Sequence, residues 1–165
     1  MKINGKNIIL TGASSGIGSE LLKLLVKYDD VKIIAVARHI EDIHVTENKV
    51  YPFAMDVSTQ QGIDSLFTFV RKTFGNIDIF IANAGFAYLE KLDRPDWEHI
   101  ENIYALNVFS PVYSLEKLVE ESNNNKAFVC TVSGAGLASL PAYSLYCSTK
   151  AALNHFLDTY RYEKS

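Results

Sequence analysis

Ile8-Ile9-Leu10-Thr11-Gly12-Ala13-Ser14-Ser15-Gly16-Ile17-Gly18 reads as a short apolar strand, a glycine-rich turn and the opening of a helix. Beyond the turn, Ile17, Leu21, Leu24, Leu25 and Tyr28 recur at helical spacing and predict one apolar face. That order is what a phosphate-binding loop requires. Glycine lets the backbone approach a diphosphate closely, and the unpaired amides of the first helical turn donate to it. The spacing is G-x-x-x-G-x-G, not the G-x-G-x-x-G of the common dinucleotide fingerprint. A tight strand-to-helix turn with no ligand fits the same residues.

Working outward, strand and helix alternate. Residues 32–37 read as a second strand with Arg38 and His39 at its carboxyl end. Residues 50–55 read as a third, ending at Asp56-Val57, and Pro52 places it at a sheet edge. Ser58-Thr59-Gln60-Gln61 has the form of a capping box opening a helix that carries Ile63, Leu66, Phe67 and Val70. A fourth strand over 77–82 runs into Asn83-Ala84-Gly85. Residues 96–121 form a long helical region with Pro95 near its start and Asn107 inside it. Asn123-Asn124-Asn125 breaks that helix, and 127–132 form a fifth strand ending at Ser133. A loop over 134–141 then leads to a final helix from about 142 to the end. This alternation predicts an α/β fold, a doubly wound parallel sheet with helices on both faces. Ligands in such sheets sit at the carboxyl ends of the strands, where these motifs fall.

A chain of 165 residues fits one domain, 1–165, and can bury roughly 68–70% of its unfolded surface. The net charge of −3 argues against a nucleic-acid surface, and no basic run appears. The apolar runs are too short to cross a bilayer, so no membrane partner is expected. The chain starts almost directly on its first strand, and no signal or transit segment is expected. Cys130 and Cys147, widely spaced, suggest reduced thiols and a cytoplasmic setting. His39, His44, His99 and His155 form no ligand spacing; they read as surface or loop residues, and no metal is expected.

Tyr146-Cys147-Ser148-Thr149-Lys150 sets a phenol and an ammonium four residues apart, with Ser133 thirteen positions upstream. Side chains at i and i+4 share one helix face. A cation at about 4 Å, at an effective dielectric near 20, favours a phenolate by roughly 4 kcal/mol before desolvation opposes it. That brings a tyrosine toward general acid–base work at neutral pH. Y-x-x-x-K also arises by chance on surface helices. Tyr143 is a rival aromatic with no lysine four positions on.

Thr11-Gly12 with Gly16 and Gly18, Asp56-Val57, Asn83-Ala84-Gly85, Asn107, Ser133, and Tyr146 with Lys150 follow one another in register. In that order and spacing the chain resembles the short-chain dehydrogenase/reductase family from Lys6 onward. The resemblance implies a Rossmann-like, NAD(P)-binding domain that interconverts a carbonyl and an alcohol by hydride transfer. The turn from Thr11 through Ser14, Ser15 and Ile17 to Gly18 would hold the diphosphate. Asp56 would accept from the adenine amino group, Val57 would pack on the ring, and Asn83-Ala84-Gly85 would lie along the cofactor. Tyr146 would pass the proton to the carbonyl oxygen. Lys150 would bond the nicotinamide ribose and favour the phenolate, Ser133 would bond the substrate oxygen, and Asn107 would hold a relay water. Each has a structural alternative: Asp56 as a turn cap, Asn107 at a helix kink, Ser133 as a loop serine.

NADP(H) carries a 2′-phosphate, which needs a cation. Arg38 stands at the end of the second strand, where NAD-preferring relatives carry an acid, and Ser14 can assist it. NADP(H) is therefore the expected cofactor, with NAD(H) possible; a solvated surface arginine is the alternative. The expected partners are a small carbonyl or alcohol substrate and a second copy, through the last two long helices. The match is C-terminally short, ending fifteen residues after Lys150. The family's last strands and substrate-covering segment are expected to be missing, leaving 127–132 as an uncovered edge prone to self-association. A dinucleotide-binding module without turnover is the alternative function.

Overall fold

The computed structural model describes residues 2–44, 48–122 and 125–163. Strands β1 (Asn7–Thr11), β2 (Lys32–Ala37), β3 (Val50–Ala54), β4 (Ile79–Ala82) and β5 (Ala127–Cys130) form one parallel sheet in the order β3-β2-β1-β4-β5. The helices are α1 (Gly16–Leu25), α2 (Gln60–Phe74), α3 (Trp97–Tyr104), α4 (Ser110–Val119) and α5 (Ser144–Glu163). A π-helical segment, Ala105–Phe109, joins α3 to α4. Among the described residues no helix is long and apolar enough to cross a membrane.

Alternation along each strand divides the interior into two cores. Ile8, Leu10, Ile33, Ala35, Ile79 and Ile81 face Leu22 and Leu25 of α1. Ile9, Ile34, Val36, Phe80 and Ala82 face Ile63, Leu66, Phe67 and Val70 of α2 and Leu118 of α4. With both faces covered, β1, β2 and β4 are buried at every position but Lys32. Phe67, Phe80 and Phe128 stack in file, with centroids 5.6 and 5.7 Å apart. Pro52 lies on the edge strand β3, opposite Ala35 of β2. The other edge is β5, where Val129 is 45% exposed.

Several local expectations change. The buried face of α1 is Gly18, Leu22 and Leu25, with Leu21 packed beside it. Ile17, Leu24 and Tyr28 are exposed. Gly18 sets this helix against the Gly12 carbonyl just after β1, so counting apolar side chains puts the face in the wrong place. Thr59, not Ser58, caps α2: its Oγ1 accepts from the Gly62 amide at 3.0 Å. The Ser58 amide is already turned onto Asp56 Oδ1. The long helical region starts at Trp97, behind an Asp96 cap, and is broken by the π segment around Asn107. Strand β3 ends at Ala54, β4 begins at Ile79 and β5 ends at Cys130; α5 begins at Ser144 because Ala142 takes a left-handed φ of 65°. The 134–141 loop contains a 3-10 turn, Gly134–Gly136. Asn123, Asn124 and the last two residues lie outside the described residues.

Candidate active site

At the carboxyl ends of the strands, Asn83 staples three of them together. Its Nδ2 donates to the Thr11 and Gly12 carbonyls at 3.2 and 3.3 Å, and its Oδ1 accepts from Thr131 Oγ1 at 3.1 Å. The Thr11 hydroxyl oxygen in turn accepts from the Asn83 and Ala84 amides. This web draws the glycine turn against β4. A Cβ on Gly12, whose φ is 68°, would lie 2.9 Å from the Ala84 Cα, and one on Gly18 would lie 1.9 Å from the Gly12 carbonyl oxygen. Ser15 caps α1 without a side-chain bond, and no acidic side chain stands in its first turn. The positive end of the helix is thus offered to an anion.

Two hollows flank this turn and share Gly12, Ser15, Ala84, Gly85 and Phe86 as their common wall. The outer one, about 360 Å³, is bordered by Ser14, Arg38, Asp56 and Val57 at the ends of β2 and β3. The inner one, about 310 Å³, is bordered by Ile17, Asn83, Thr131, Tyr146 and Lys150. Together they make one long cleft across the carboxyl ends of the strands.

Lys150 is 5% exposed, and its Nζ donates to the Thr131 carbonyl at 3.0 Å. The same Nζ lies 5.8 Å from the centroid of the Tyr146 ring. Burial pushes the Lys150 ammonium below its ordinary range, with Cys130 pulling weakly the other way. Burial also pushes the Cys130 thiol up to about 11, so it stays neutral. One glycine lets α5 come this close: a Cβ on Gly136 would lie 2.8 Å from the Lys150 carbonyl, whereas one on Gly85 would press on Asn107 Oδ1 at 3.1 Å.

Asn107 is buried in the π segment. Its Oδ1 accepts from the Phe86 amide at 3.1 Å, while Nδ2 donates to the Phe86 carbonyl and to Thr149 Oγ1 at 2.9 and 3.1 Å. It ties the segment after β4 to the turn of α5 that carries Lys150. Asp56 Oδ1 accepts from the Ser58 amide at 2.9 Å, so this residue does cap a turn while bordering the outer hollow. Ser133 starts the 3-10 turn, accepting from the Ala135 amide at 3.1 Å, and borders neither hollow; its hydroxyl proton is left to donate elsewhere. The structure thus brings Tyr146 and Lys150 to one hollow and Arg38 and Asp56 to the other, with the glycine turn between.

The sequence reading missed Thr131, Phe86 and Thr149. Thr131 follows β5 directly, where its position at a strand's carboxyl end could have marked it. His99, read as a surface or loop residue, is instead in the first turn of α3, half-buried and paired with Glu90.

The sequence model described as short chain dehydrogenase matches residues 6–165. An NADP-dependent 3-hydroxy acid dehydrogenase of Schizosaccharomyces pombe is 31% identical, over 98% of this chain and 67% of its own. A fatty acyl-CoA reductase of Mycobacterium tuberculosis is 32% identical, over 92% of this chain and 55% of its own. Among solved structures, a short-chain dehydrogenase from Streptomyces avermitilis superposes with a TM-score of 0.87 at 24% identity, covering 96% of this chain and 60% of that one. The chain therefore spans between about half and two thirds of the length of these proteins.

Proposed function

The chain belongs to the short-chain dehydrogenase family of oxidoreductases, and from that membership we propose that it binds NADP(H) and interconverts a small carbonyl compound and its alcohol. The observation that carries the reading is the single cleft running from Arg38 and Asp56, past Gly12 and Gly85, to Tyr146 and Lys150. Its floor is fit for a dinucleotide because Gly12 and Gly85 present no side chain there. When bound, the cofactor supplies or accepts the hydride.

The chain's own residues do the rest. The first turn of α1 faces the diphosphate, Asp56 and Val57 receive the adenine, and Asn83-Ala84-Gly85 lines the middle of the cleft. Tyr146 gives its phenolic proton to the carbonyl oxygen during reduction and recovers one in the reverse direction. Lys150 stands beside it as the cation that favours the phenolate and bonds the ribose. Ser133 turns its hydroxyl proton to the substrate oxygen. A relay water assigned to Asn107 would be held without the side-chain amide, which Phe86 and Thr149 occupy. Arg38, with Ser14 beside it at the outer hollow, pairs with the 2′-phosphate, and the relative named NADP-dependent supports that preference. NAD(H) is the weaker cofactor. Trp97 and Phe109 on the long helix and Tyr162 on α5, all exposed, support self-association through these helices of a cytoplasmic enzyme.

Titration of NADPH fluorescence, followed by turnover on a panel of aldehydes and ketones, tests the reading. Tyr146→Phe is expected to lower turnover by roughly 10²–10⁴-fold with NADPH binding retained, and Arg38→Asp to reverse the cofactor preference. A Tyr146→Phe protein keeping most of its activity would rule out the proton donor. Equal affinity of the wild type for both cofactors would rule out the role of Arg38.

A further inference from the structure

Glu90 stands where three parts of the fold meet. Its main-chain amide donates to the Ala142 carbonyl at 2.8 Å, just ahead of α5. Its carboxylate meets His99 Nε2 with both oxygens at 2.7 Å. His99 is itself anchored, its amide donating to the Asp96 side chain that caps α3. The two side chains keep only about a quarter of their surface, 25% for Glu90 and 22% for His99, so the pair is less screened than one on the open surface. On its other side the His99 ring lies 4.8 Å from the Tyr88 ring, which lies 5.0 Å from that of Phe86. Both of those aromatics border the outer hollow.

The Ala142 end of this link is the telling one. Ala142 is a non-glycine residue held at a φ of 65°, a conformation that persists only where its surroundings enforce it. The Glu90 amide is one such restraint. Tyr146 follows one helical turn later. Beyond it, Tyr104 Oη donates to Ser148 Oγ at 2.9 Å, and Asn107 reaches Thr149. Tyr146 is thus bracketed: the long helix grips α5 just after it, and Glu90 grips the chain just before it.

We infer that Glu90 and His99 are positioning residues, whose pairing fastens the segment after β4 to α3 and thereby holds the Ala142 turn that sets where Tyr146 stands at the inner hollow. The inference rests on the reading of Tyr146 as proton donor. Neither residue borders either hollow of the cleft, so their effect reaches the chemistry only through the backbone they fix.

The full chain, labelled with carbon-13 at the tyrosine Cζ, provides the test, with the Tyr146 signal assigned by its loss in Tyr146→Phe. Glu90→Ala is expected to move that signal. It should also speed amide exchange over residues 143–147 by about tenfold or more, the scale of one hydrogen bond to a charged group. Exchange in β1 and β2 should stay as in the wild type. Glu90→Gln, which keeps an oxygen for His99 to donate to, should restore both readings, and kcat should fall in Glu90→Ala while NADPH affinity holds. A folded Glu90→Ala protein with an unmoved Tyr146 signal and unchanged exchange overturns the inference, as does lost NADPH affinity with that signal unmoved. If Glu90→Ala does not fold, His99→Phe decides by the same two readings, since it keeps a ring against Tyr88 and removes only the polar contact. A wild type that turns over no carbonyl counts against the proposed activity alone, because the signal and the exchange rates still judge the link.

Discussion

Lys150 is held between two opposed demands. Its ammonium needs solvation, yet the Thr131 carbonyl is the protein acceptor it has been given, and burial pushes its pKa down from 10.5. The cost of burying the charge is fully present below the folded-state value. It is relieved as pH rises from that value toward 10.5, because the unfolded chain then binds more protons than the folded one. Lys150→Met is therefore expected to lie within about 1 kcal/mol of the wild type in stability at pH 7, lost hydrogen bonding being offset by lost desolvation. Wild type should gain on the variant as pH climbs toward 10.5. Urea unfolding of both proteins across that range checks this, and a stability gap that ignores pH would refute it. The residues that make this site were unevenly legible. Tyr146 and Lys150 announce themselves by spacing on one helix. Thr131, Phe86 and Thr149 have no such signature, because what they do depends on which strand ends and helix turns meet in space.

At the scale of an element, the turn after β1 and the first residues of α1 show three glycines with three different reasons. Gly12 needs both its left-handed φ and its close approach to Ala84; Gly16 needs φ of 53° alone, with nothing within 4 Å of an added Cβ. Gly18 has an ordinary helical backbone and is needed only for contact, its Cβ position overlapping the Gly12 carbonyl. Gly18→Ala should then cost about 3 kcal/mol, the upper range of overpacking, and weaken NADPH binding by displacing the turn. Gly16→Ala should cost only about 1 kcal/mol of backbone strain. Equal urea midpoints for the two variants would contradict this division. The sequence motif marks all three positions but not their separate roles. It likewise shows an asparagine within a helical pattern, while the π segment around Asn107 is invisible to a periodicity near four residues. The parallel alternation was easier, because runs of apolar residues, Pro52 at an edge and ligand motifs at strand ends are all local to the chain; the order of the strands is not.

For the whole molecule, the sheet acts as a partition. Ile33 and Ile34 are bonded neighbours in the chain, yet Ile33 belongs to the core under α1 and Ile34 to the core under α2 and α4. Ile33 is registered against Ile8, and Ile34 against Ile9, each pair within its own core. Energetic kinship therefore follows the register across strands and skips the adjacent residue. Stability losses from Ile33→Val and Ile34→Val are expected to sum to within about 0.5 kcal/mol, whereas Ile8→Val with Ile33→Val should depart from their sum by more. Double-mutant cycles by urea denaturation would reveal the reverse if the two cores were coupled. The protein can thus accept repacking on one side of its sheet while the other keeps its own inventory of side chains, so two histories of substitution can run in parallel through a single run of residues.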